Sequence, residues 1–270
     1  MPEPMIEVTP TRNWRDFTRA RLRDAIGPSN PLYHPLESQM FQDVYWFIDD
    51  EFTGVLSTAA WTVANNGAGA ADFARVANIP GGAINGDAGT ADDGDARLFT
   101  TSNELVTANR RPVLYGRIGQ NSAVASSKFE FGFADAAGAG AVLVKATPTS
   151  TATDYAVIIR DTDHNTSVDL VTDGGTDAVG LVASSPGQPS AWATQTWYSL
   201  VISLDEVRGT RFYIDGIFQG IRRAGPDATV TLGAWLYIQG RDSAANRTLR
   251  ADYIRGYAER VPFSGNAFTT

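Results

Sequence analysis

Between Val44 and Tyr257 this chain is a succession of short β-type runs with turn residues between them. They are Val44–Ile48, Phe73–Val76, Ala96–Phe99, Val113–Ile118, Lys128–Phe133, Ala141–Lys145, Tyr155–Arg160, Ser167–Val171, Trp197–Leu204, Arg211–Ile214, Ile217–Ile221, Trp235–Gln239 and Ala251–Tyr257. Many short strands at near-regular spacing, with turn residues between, indicate a sandwich or jelly roll. Lys128-Phe129-Glu130-Phe131-Gly132-Phe133 alternates strictly, so its phenylalanines meet one layer while Lys128 and Glu130 point to the other. Glu130 is expected to face solvent or a neighbouring strand. Phe212-Tyr213-Ile214-Asp215-Gly216-Ile217-Phe218 places an Asp-Gly pair between apolar runs, the signature of a two-residue hairpin.

Composition sets the outer limits. Hydrophobic residues make up 43% and charged residues 19%, which is the balance of a globular protein with a full core. The formal charge of −8 argues against a nucleic-acid partner. With no cysteine, disulfides, zinc-thiolate sites and thiol nucleophiles are excluded. Met1-Pro2-Glu3-Pro4 opens without a basic or apolar leader, so no secretory signal is expected, and no apolar run has the length of a membrane span.

Residues 1–45 have a different grammar. Thr11–Ile26 carries helix formers with Gly27-Pro28 as a stop, followed by a proline-spaced stretch from Pro28 to Pro35. A segment this short cannot build its own core. Either it caps the sandwich, or it is an arm that docks on a partner, or its basic residues meet nucleic acid. In the docking reading Trp14, Arg15, Phe17, Arg19 and Arg23 are the anchors, since Trp and Arg so often carry interface energy.

Several pieces, in this order, resemble the concanavalin A-like (laminin G-like) jelly-roll domain in the form found in bacteriophage structural proteins. They are Trp46-Phe47…Phe52-Thr53-Gly54…Trp61-Thr62, Gly132-Phe133-Ala134-Asp135-Ala136, Trp197-Tyr198-Ser199-Leu200, Tyr213-Ile214-Asp215-Gly216 and Asp252-Tyr253-Ile254-Arg255. The resemblance implies an all-β, two-sheet antiparallel jelly-roll sandwich over residues 46–262. A partly helical N-terminal arm (1–45) would precede it, and a short tail (263–270) would follow. It further implies a non-enzymatic virion protein that decorates or cements a capsid, bound to the major capsid protein or to copies of itself as a homo-oligomer. The alternative it leaves open is a lectin-like adhesin or fibre module that binds a cell-surface glycan.

Catalytic grammar is sparse. Glycosidases of this fold resemble one another in a strand bearing Glu-x-Asp-x-x-Glu, whose even spacing sets two carboxylates on one face beside the scissile bond. No such pattern occurs here, and an enzyme is not expected. His34 and His164 lack a triad context. Gly67, Gly69, Gly81 and Gly82 lie between β-type segments, so no phosphate loop forms. Asp161-x-Asp163-x-Asn165, with Asp169 beyond, has the spacing of calcium ligands, as does the Asp-rich loop holding Asp87, Asp92, Asp93 and Asp95. Both lack the full loop consensus, and Asp and Asn are ordinary turn formers. No cofactor is expected. Trp192, in a loop-like stretch, is the candidate for stacking on a sugar. Trp46, Trp61, Trp197 and Trp235 are expected in the core.

Overall fold

The computed structural model describes residues 44–259, apart from 67–70, 78, 80, 102–104, 123, 136–139, 145–148, 164, 174–181, 184–191, 206–208, 223–224 and 243–245. The proposed arm with Trp14, Arg15, Phe17, Arg19 and Arg23, the tail 263–270, and both histidines lie outside the described residues.

In chain order the strands begin with β1 (Val44–Asp50), β2 (Trp61–Asn66), β3 (Asp72–Arg75), β4 (Ile84–Asp87), β5 (Asp95–Thr100), β6 (Val106–Thr107), β7 (Val113–Gln120) and β8 (Ser127–Ala134). They continue with β9 (Leu143–Val144), β10 (Thr149–Ser150), β11 (Tyr155–Asp161), β12 (Asn165–Asp173) and β13 (Val182–Ala183). The last are β14 (Trp197–Ser203), β15 (Thr210–Ile214), β16 (Ile217–Arg222), β17 (Thr231–Gly240) and β18 (Thr248–Glu259). The first sheet runs β16-β15-β14-β7-β18-β4-β3, with β1 also on β18. The second runs β13-β12-β11-β8-β17-β5-β2, with β6 also on β17, while β9 and β10 form a separate ribbon. Every pairing is antiparallel, and the architecture is the expected jelly-roll sandwich.

The core follows from strand parity. Phe129, Phe131 and Phe133 of β8, with Leu236 and Ile238 of β17, meet Leu114 and Ile118 of β7 and Leu200 and Ile202 of β14 in one buried cluster. The layers approach closely at Gly116, where an added Cβ would lie 3.1 Å from the Phe131 ring. The outward parity of β8 and β17 builds a second cluster, in which Trp235 and Tyr237 lie under Val142, Leu143 and Ala152. The segment carrying β9 and β10 therefore covers the outside of the second sheet. Ala141–Lys145 had read as a strand of the sandwich itself; instead its residues Leu143 and Val144 pair with Ser150 and Thr149 in the separate ribbon.

The β15–β16 hairpin turns on Asp215 and Gly216, both at positive φ (50° and 77°), as a primed turn requires. On β16, an edge strand, Ile217, Phe218 and Ile221 are exposed.

Candidate functional site

Cross-strand register lines up Arg97 of β5, Tyr237 of β17 and Glu130 of β8 on the outside of the second sheet. Glu130 is fully buried, which corrects the expected solvent-facing position. Alternation placed it on the outward parity, but the covering ribbon removes it from water. Its Oε2 accepts from Val142 N at 2.8 Å and from Trp235 Nε1 at 2.9 Å, and its Oε1 accepts from Leu143 N at 3.1 Å. Lys128 Nζ stands 3.0 Å from Oε1 and also donates to the Leu143 carbonyl. It lies 5.5 Å from the centre of the Tyr237 ring. As it stands, this carboxylate clamps the ribbon to the sheet: its charge is matched by Lys128 and both its oxygens are occupied. Beside it, Asp95 has its pKa raised by burial, against the opposing pull of Arg97 2.9 Å away. Burial likewise pushes the Tyr237 hydroxyl well above its ordinary range, helped by the charges of Asp95 and Glu130.

Asp161, the head of the suspected calcium loop, is engaged by an arginine. Arg241 grips it with a two-pronged contact, Nη2 to Oδ2 at 2.5 Å and Nε to Oδ1 at 3.1 Å. Arg241 Nη1 also reaches Asp93 Oδ1 at 2.8 Å, and its Nε lies 3.6 Å from Asp163. One guanidinium thus ties the two acidic loops together. Burial alone would lower its pKa, but the hydrogen bond and charge of Asp161 raise it instead. Among the described residues no group of three or more His, Cys, Asp or Glu is placed to hold a metal ion.

Trp192 is not a surface aromatic. It is 1% exposed, in the main core, 4.4 Å from Phe129 and 4.0 Å from Tyr198 between ring centres. Its expected role in stacking on a sugar is corrected accordingly. Trp61 and Trp235 are buried as expected.

Trp197, expected in the core, is not there. On β14 it shares parity with Ser199 and Ser203, while Tyr198, Leu200 and Ile202 face inward. It therefore stands half-buried on the outside of the first sheet. Register places Asn85, Arg250, Gly119 and Trp197 in one row across β4, β18, β7 and β14. Gly119 makes room for the indole: a Cβ there would sit 3.2 Å from the ring and 2.8 Å from the Thr196 carbonyl. The Arg117 guanidinium lies over the ring at 5.1 Å, held by Asp252 at 2.8 Å. Next to this row opens a cleft of about 290 Å³. It is lined by Gly119, Gln120, Asn121, Gln195, Thr196, Trp197 and Arg250. Gln195 holds its tight turn at φ 60° and donates its N–H to the Gln120 carbonyl at 2.7 Å. Such a cleft offers a flat apolar ring, amide donors and acceptors, and one cation.

No protein-family model matches the chain, and no curated protein matches it in sequence. Solved structures do share its fold. A family 16 glycoside hydrolase endo-glucanase from Bacteroides ovatus matches 77% of this chain and 99% of its own at TM-score 0.55 and 8% identity. The catalytic domain of a laminarinase from Thermotoga petrophila matches 81% and 99% at TM-score 0.54 and 12% identity. The Emp46p carbohydrate recognition domain, potassium-bound, matches 80% and 100% at TM-score 0.56 and 10% identity. The same domain has also been solved metal-free. At such identities the likeness shows the fold alone, a two-sheet antiparallel jelly-roll sandwich. It also corrects the expected function. The reading of a non-enzymatic capsid decoration protein is overturned, because the fold neighbours are glucan hydrolases and a carbohydrate recognition domain. The exclusion of an enzyme does not stand either.

Proposed function

We propose that the protein is a glycan-binding β-sandwich whose site is the cleft beside Trp197. One observation carries the reading: a half-buried indole, braced by Arg117 and seated on Gly119, forms one wall of a cleft whose other walls are amides and a guanidinium. Pyranose rings present an apolar face and a rim of hydroxyls. A fixed aromatic ring with a few convergent polar groups is the surface that complements both. The fold neighbours, among them a carbohydrate recognition domain and glucanases, support the same class of ligand. Titration calorimetry with laminari- and mixed-linkage gluco-oligosaccharides, and with acidic oligosaccharides, tests it. Saturable binding that disappears in Trp197→Ala, with the melting temperature kept, is the expected result. Binding untouched by that substitution rejects this cleft.

Hydrolysis is the second reading, favoured by the glucanases among the neighbours. It asks for two carboxylates flanking the scissile bond, about 5–5.5 Å apart for retention or about 6.5–9.5 Å for inversion. Glu130 could serve only if its bonds to Val142, Leu143 and Lys128 were released. Release of reducing ends from the same glucans, abolished in Glu130→Gln, would support this reading. Cleavage retained in that variant assigns the chemistry to other residues.

A further inference from the structure

Among the described residues no ion pair holds Arg250 of β18. Arg97, Arg117, Arg241 and Arg255 each lie against a carboxylate. Arg250 lines the cleft, and among the described residues its buried Nε finds no hydrogen-bond acceptor. Its cross-strand neighbour Asn85 likewise has a buried Oδ1 without a partner. Among the described residues that line the cleft, Arg250 is the one charged side chain and none is a carboxylate. The acids close to it in sequence and register are already engaged. Asp252 binds Arg117, and Asp87 accepts from Asn246 at 2.7 Å and from the Gly89 N–H at 2.8 Å. A buried charged donor without an acceptor is costly, and native structures rarely leave one unanswered.

We infer that the cleft selects an anionic sugar unit, with the carboxylate of a uronic acid or a sulfate ester accepting from Arg250 while the ring stacks on Trp197. The inference rests on the glycan-binding reading of this cleft and names its ligand class. A guanidinium fork matches either oxyanion through two parallel bonds. Asn121 and Gln195 would meet the neighbouring hydroxyls. The protein's net charge of −8 does not forbid such a ligand, because at physiological salt charges beyond about 8 Å are largely screened.

The test is calorimetric titration of the whole chain with three probes: hexagalacturonate, a sulfated carrageenan hexasaccharide and neutral laminarihexaose. At least one acidic probe should bind about tenfold tighter than the neutral one, as a charge-assisted hydrogen bond implies. Whichever acidic probe binds tighter names the group. The margin should shrink as salt rises. Arg250→Gln should erase it, so that within this variant the acidic probes bind no more tightly than the neutral one. Arg250→Lys, which keeps the charge, should retain part of the margin and guards against reading a folding defect as lost recognition. Equal affinity for all probes, or a margin that survives Arg250→Gln, overturns the inference and leaves the glycan reading standing. If Trp197→Ala alters the binding of none of them, the cleft itself is rejected and the inference falls with it.

Discussion

Lys128 and Glu130 stand two residues apart on one strand, their charged ends 3.0 Å from each other in a place with almost no exposure. Two residues along a β-strand is the distance at which side chains share a face, so the pair is a local consequence of the alternating sequence. Its energetic weight comes from the ribbon above it. Removing Glu130 would strand the Lys128 charge, the amides of Val142 and Leu143 and the Trp235 indole N–H. Breaking a buried pair in this way costs about 3–5 kcal/mol. Glu130→Ala should show that loss in chemical denaturation, and Lys128→Met/Glu130→Leu should lose less than the two single changes summed. A loss below about 1 kcal/mol for Glu130→Ala contradicts the clamp.

Trp192 and Trp197 should part company experimentally. Trp192→Ala opens a hole against Phe129 and Tyr198 and should cost about 3–5 kcal/mol of stability. Trp197→Ala should cost far less and act on ligand binding. Thermal melts beside calorimetry read both, and a Trp192 variant of unchanged stability would contradict its burial.

The pH dependence carries a sign. Asp95 holds its proton to a higher pH in the folded state than the ordinary value of 3.8, because burial outweighs Arg97. Folding therefore takes up a proton, and this group's contribution declines as pH rises from that value through the raised one. Asp95→Asn cannot lose that proton. The stability of the wild type relative to the variant should fall as pH climbs from about 4 towards neutrality. A difference that rises with pH instead would mean that the Arg97 pair dominates.

Calcium should do nothing to the Asp161 loop. A cation competing for Asp161 must displace a two-pronged guanidinium. Millimolar calcium should leave the melting temperature where it is, since only a bound ligand raises it. Asp161→Asn should cost about 1–3 kcal/mol, the range for hydrogen bonds to a charged group. A calcium-dependent rise in the melting temperature would reinstate the metal site.

What the sequence disclosed depended on how local the cause was. The Phe129–Phe133 alternation and the Asp215-Gly216 turn are written in neighbouring residues, and both were legible. The β4 strand was not among those expected, since Asn and Gly are poor strand formers. Gly86 is there for another reason: an added Cβ would strike the Phe73 ring at 2.3 Å. Glu130 was placed on its correct face, but the cover over that face is supplied by residues more than ten positions away. Trp192 looked exposed because its neighbours are loop formers, and only tertiary packing takes it inside. Trp197 had a usable signal: its parity with Ser199 and Ser203 marks the outward side of β14.

The Glu130 clamp and the Trp197 cleft lie on opposite outer surfaces, with the phenylalanine layer between them. Sheets in a sandwich pack about 10 Å apart, and effects of substitutions at that separation usually add. Each surface can therefore be rewritten without consulting the other. A library that varies the cleft to change which polysaccharide it grips needs no compensating changes across the core, and the clamped face can carry a tag or a tether while that is done.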